Sequence, residues 1–99
     1  MSQERPENRI RLLLLDDQAL LRASLAHLLS SEPGLEVVGE CGASAEALDI
    51  LSGSPIDVVL LDLGHAMDGG SEFISTACRN GFQGRFLIVA ESADRLIGQ

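Results

Sequence analysis

Ile56-Asp57-Val58-Val59-Leu60-Leu61-Asp62 carries four consecutive apolar residues straight into a carboxylate. A short unbroken apolar run of this kind, bounded by turn signals, suits a strand buried on both faces. Gly53, Ser54 and Pro55 punctuate the chain before it, and Gly64, Gly69 and Gly70 after it. Such a strand belongs in the middle of a parallel sheet. The residue at its carboxyl end projects into the crevice where open α/β sheets bind ligands. Asp62 is therefore expected at a functional rim.

Working outward, Ile10-Arg11-Leu12-Leu13-Leu14-Leu15 follows the same grammar and ends in Asp16 and Asp17. Gln18 to Ser31 has helical spacing, with Leu21, Leu25, Leu28 and Leu29 on one apolar face and Arg22 and His27 off it. Glu32-Pro33-Gly34 stops that helix. Leu35 to Glu40 reads as a less apolar strand, suited to a position nearer the sheet edge. Ala43 to Leu51 reads as a helix with Ser44 as N-cap and Ala45, Leu48 and Leu51 inward. After Asp62, a loop over Leu63 to Gly69 leads to a helix ending at Arg79, with Phe73, Ile74 and Ala77 buried. Asn80-Gly81 closes it, and Arg85 to Ala90 forms a fourth strand. Strands alternating with helices indicate an α/β fold, a parallel sheet with right-handed crossovers. Met1 to Asn8 reads as a disordered leader, leaving 9–99 as one domain.

The composition narrows the function. The chain has 99 residues and a net charge of −8, from 15 acidic and 7 basic residues, and every basic residue is Arg. Phosphate contacts need clustered Lys and Arg, so nucleic acid is not expected as a partner of this segment, nor is an anionic membrane surface. With 3% aromatic residues there is no stacking platform for bases. Cys41 and Cys78 lack metal or redox-motif spacing and read as free thiols. No stretch reaches the ~18 apolar residues of a membrane span, and the start of the chain has no apolar signal core. The expected location is the cytoplasm.

The acids carry the chemistry. In a doubly wound sheet of flavodoxin type, the first and third strands are neighbours at the switch point, which brings Asp16, Asp17 and Asp62 into one crevice. Carboxylates so close repel, and a hard cation such as Mg²⁺ would offset them while keeping room for phosphoryl oxygens. An Asp carboxylate can itself act as nucleophile toward a phosphoryl group. The competing account is that each Asp simply starts a loop, where Asp is favoured. A nucleotide-binding fold fits poorly, since no G-x-G-x-x-G follows the first strand. A phosphatase or phosphotransferase would need a base for a second step and a cap, and neither is visible.

These residues resemble a known family, the receiver domain of two-component response regulators. Leu14-Leu15-Asp16-Asp17 is similar to its acidic pair, Leu60-Leu61-Asp62-Leu63 to its phospho-acceptor strand, and Gly69-Gly70-Ser71-Glu72-Phe73 to the start of its third helix. Ile10-Arg11-Leu12-Leu13, the run from Leu28 to Glu40, and Ala45-Glu46-Ala47-Leu48 resemble the LuxR-type, NarL-like subgroup. The resemblance spans about residues 9 to 92. It implies a flavodoxin-like sheet of strand order 2-1-3-4, with the family's fifth strand, last helix and helix-turn-helix output missing. It implies that a sensor histidine kinase phosphorylates Asp62 and that the full-length protein controls transcription. Asp17 and Asp62 would ligate Mg²⁺ with the Gly64 backbone carbonyl, and Asp16 would act through water. The domain would promote its own phosphorylation and dephosphorylation without being a conventional enzyme.

The chain departs from the family at named positions. Ala90 stands where a Ser or Thr hydroxyl usually ends the fourth strand, and Ser92 lies two residues beyond it. His65-Ala66 replaces the usual Met-Pro, and Gln18 follows the acidic pair where the subgroup often has His. The family's lysine has no counterpart in a chain without Lys. Without that lysine, weaker or uncoupled phosphorylation is expected, and Ala90, the altered loop and the missing lysine motivate the alternative reading, an interaction domain that no longer switches. The expectation is also of a shortened chain whose uncovered apolar edge, Phe86 to Ala90, pairs with a second copy to form a homodimer.

Overall fold

The computed structural model describes residues 9–62 and 70–89. Strand β1, Ile10–Leu15, forms where the apolar run predicted it, and Leu12 to Leu15 are each at most 4% exposed. Successive strand residues point to opposite faces. Leu13 and Leu15 therefore enter one core cluster, and Leu12 and Leu14 enter another.

Strand β2 is Leu35–Cys41 and strand β3 is Val58–Asp62. The same alternation divides β3: Val59 and Leu61 join the cluster of Leu13, whereas Val58 and Leu60 join that of Leu12. Strand β4 is Arg85–Val89. All pairings are parallel and the order is β2-β1-β3-β4. This is the flavodoxin-like α/β arrangement, with the weakly apolar β2 at an edge.

Helix α1, Ala19–Ser30, covers one face through Ala26, Leu25 and Leu29. Helices α2, Ser44–Gly53, and α3, Ser71–Arg79, cover the other, with Ala47, Phe73 and partly buried Leu48, Ile50, Leu51 and Ile74 against the sheet. Phe73 and Phe86 meet edge to face at 5.9 Å between ring centres, and Phe82 and Phe86 at 5.2 Å. Gly81, at φ +103°, supplies the left-handed turn after α3. None of the helices among the described residues is long and apolar enough to cross a membrane.

Several expectations change. Leu28 is 64% exposed, and Ala26 takes the buried place on α1, with Leu25 and Leu29 packed beside it. Ser44 is the first helical residue rather than the cap; Ala43 precedes it in extended conformation, with no side-chain cap bond. Ala45 faces outward and Ala47 is fully buried, because Ala47 and not Ala45 shares the inward face with Leu48 and Leu51. The third strand begins at Val58, not Ile56, although Ile56 is buried in the core. The leader, the loop from Leu63 to Gly69, and the chain from Ala90 onward lie outside the described residues.

Candidate functional site

Leu15 pairs with Leu61 in the parallel register. The next residue on each strand is an aspartate, so Asp16 and Asp62 arrive side by side at the carboxyl rim, with Asp17 one step beyond. Carboxylate oxygens of Asp16, Asp17 and Asp62 all lie within 4.8 Å of one another. Their exposure is graded: Asp16 is buried at 4%, Asp62 is half-buried and Asp17 is exposed. The rigid part of the cluster is thus below and the accessible part above.

Asp16 is held from several directions. Its main-chain N–H donates to the Cys41 carbonyl at 3.0 Å, which ties it to β2. Its Oδ1 accepts the Gln18 N–H at 2.9 Å, which shapes the turn into α1. Its main-chain carbonyl accepts a hydrogen bond of 2.7 Å from Arg22 Nη1. Asp16 therefore satisfies both accounts of a strand-ending aspartate, since it builds a turn and stands in an acidic cluster.

The donor set suits a hard divalent cation. It offers carboxylate oxygens from three residues at a spacing one ion can bridge, partly open to solvent. A small cleft below them is lined by Leu14, Asp16, Arg22, Leu25, Asp62 and Val89. Gly64, His65, Ala66, Ala90 and Ser92 lie outside the described residues, so the structure brings together the three acids of the predicted site and does not describe the rest.

Arg22 was legible only as a residue off the apolar stripe. No local pattern links it to Asp16, because helix α1 must first fold back over the strand ends. Cys41 is the other neighbour. Its buried thiol donates to the Leu14 carbonyl at 3.6 Å. Burial, then the charge of Glu46, pushes its pKa up to about 11 against an opposing effect of Arg22, so the thiol stays protonated and unreactive at neutral pH. Both cysteines are free.

No family model matches the chain. Among curated proteins, it is 34% identical over 82 residues to the nitrate/nitrite response regulator protein NarP of Escherichia coli, covering 83% of this chain and 38% of that protein. It is 32% identical over 87 residues to the transcriptional regulatory protein LiaR of Bacillus subtilis, covering 86% and 40%. The chain thus spans about two fifths of the length of these relatives. Among solved structures, the signal receiver domain of the response regulator NarL from Mycobacterium tuberculosis superposes with a TM-score of 0.73 at 28% identity, covering 84% of this chain and 67% of that one. By sequence and by fold together, the chain fits a receiver domain of the NarL subgroup of two-component response regulators.

Proposed function

We propose that this domain accepts a phosphoryl group on Asp62 from a sensor histidine kinase in the cytoplasm, and that the whole protein thereby regulates transcription. The supporting observation is the meeting of the Asp16, Asp17 and Asp62 carboxylates within 4.8 Å at the rim of the sheet. A carboxylate oxygen of Asp62 attacks phosphorus, a P–O bond forms, and the P–N bond to the donor imidazole breaks, the imidazole taking a proton as it leaves. Asp17, Asp62 and the Gly64 carbonyl would hold Mg²⁺, with Asp16 acting through water. A bound Mg²⁺ would offset the carboxylate charge and that of the incoming phosphoryl oxygens. Strand β3, buried on both faces, keeps Asp62 in place while this happens.

The test is incubation with a small acyl-phosphate donor and Mg²⁺, followed by intact mass. Wild type should gain one phosphoryl group, and Asp62→Asn should gain none. Equal labelling of both would overturn the assignment.

A second reading, an interaction domain that does not switch, is favoured by the exposure of Leu87 (56%) and Ile88 (48%) on β4. It expects self-association that Asp62→Ala leaves unchanged.

A further inference from the structure

We propose that Arg22 is a positioning residue for the acidic site and that Gly42 is the vacancy that lets it work. The inference rests on reading Asp16, Asp17 and Asp62 as a cation site, and adds to it a residue that is not itself a ligand.

Arg22 lies on the first turn of α1, its N–H bonded to the Gln18 carbonyl at 2.9 Å. Its Nη1 reaches back across six residues to the Asp16 carbonyl at 2.7 Å. A short bond from a charged donor is among the stronger hydrogen bonds a protein makes. The second contact is looser: Arg22 Nε stands 3.6 Å from Glu40 Oε1 and, although buried, makes no hydrogen bond. The Asp16 carbonyl, not Glu40, therefore sets the direction of the guanidinium.

That carbonyl belongs to the peptide joining Asp16 to Asp17. Fixing it fixes the direction in which Asp17 leaves the strand. Because Arg22 bonds a main-chain oxygen, it steadies the acidic pair without occupying the Asp16 carboxylate. It also places one positive charge beside clustered negative ones.

Gly42 follows β2 directly beneath the guanidinium. A Cβ there would stand 3.0 Å from Arg22 Nη1 and 3.7 Å from both the Asp16 carbonyl oxygen and Asp17 Cα. That is tighter than nine in ten real Cβ contacts, so Nη1, the far end of a flexible side chain, would have to give way by a few tenths of an ångström. Any residue but glycine at 42 should loosen the same bond that Arg22→Ala removes.

Two measurements on the 99-residue protein test this: Mg²⁺ affinity by calorimetry, and hydrogen exchange of the Gln18 amide in metal-free protein, referenced to the Leu61 amide. Arg22→Ala should weaken Mg²⁺ binding about tenfold and speed Gln18 exchange by a similar factor, the worth of one charged hydrogen bond. Gly42→Ala should move both in the same direction by a smaller factor and add nothing in the Arg22→Ala background, while Arg22→Lys should restore part of both. Changes under twofold in Arg22→Ala, with wild type binding Mg²⁺, would overturn the proposal. If wild type does not bind Mg²⁺, the cation reading fails, and the exchange rates still decide whether Arg22 holds the turn.

Discussion

Arg11 and Asp57 are joined by two hydrogen bonds, one between their main chains and one from the Arg11 main chain to the Asp57 carboxylate. The Asp57 N–H donates to the Arg11 carbonyl at 2.8 Å, and Asp57 Oδ2 accepts the Arg11 N–H at 2.8 Å. The Asp57 carbonyl also accepts the Arg85 N–H at 2.9 Å. One residue thus ties together the starts of β1, β3 and β4, at the end of the sheet opposite the acidic cluster.

Asp57→Ala should therefore destabilise the fold without touching the site. An unpaired, partly buried N–H costs about 1–2 kcal/mol, which lowers the melting temperature of a small domain by roughly 5–10 °C. The guanidinium of Arg11 adds little, since both side chains of that pair are substantially exposed. Asp57→Asn keeps an acceptor and should lose less than half as much. Mg²⁺ affinity should be unchanged in both variants.

The three acids should respond differently to neutralisation. In chelator, Asp17→Asn and Asp62→Asn should each raise stability by on the order of 1 kcal/mol, because one repelling charge within 4.8 Å is removed. Both should also lose the stabilisation that Mg²⁺ gives wild type. Asp16→Ala should instead destabilise by about 1–2 kcal/mol, since the Gln18 N–H loses its acceptor. Thermal melts with and without Mg²⁺ check all of these.

The two thiols should separate cleanly. In native protein an alkylating agent should label exposed Cys78 and spare buried Cys41, with both labelled after unfolding. Cys41 also predicts a pH dependence. Its thiol ionises near 9.0 in the unfolded chain and at about 11 in the folded one. Its contribution to stability is fully present below pH 9 and is lost as pH rises toward 11, by roughly 2–3 kcal/mol. Cys41→Ala should flatten that fall in urea titrations.

Gly84 should resist substitution for reasons of space. A Cβ there would collide with the Asp57 carbonyl and the Phe82 ring. Gly84→Ala should cost about 1–3 kcal/mol, by displacing the strand start that Asp57 holds. Phe73→Ala, which empties the centre of the α3 contact, should cost about 3–5 kcal/mol.

Self-association, if it uses β4, should be sensitive to charge on that strand. Leu87→Lys should leave a monomer by light scattering where wild type shows a dimer in the micromolar range. An unchanged mass would remove β4 from the interface.

The strands were legible because a strand buried on both faces leaves no polar position to read in any other way. Leu12 to Leu15 and Val58 to Leu61 announce themselves for that reason, and with them the aspartates that terminate them. Helix faces were less legible. Leu28 and Ala45 fit an apolar stripe, yet both face outward, since period alone does not say which side of an apolar stripe the sheet meets.

The residues alone determined that three aspartates end two core strands, because apolar runs and carboxylates are local facts. Only the tertiary structure decided what stands around them. The parallel register sets Leu15 beside Leu61 and so carries Asp16 to Asp62. The return of α1 over the strand ends brings Arg22 to the Asp16 carbonyl, and Gly42 leaves the space for it. Each of these depends on separate elements, a strand end against a strand or a helix, being packed to within a few tenths of an ångström, which no stretch of sequence specifies by itself.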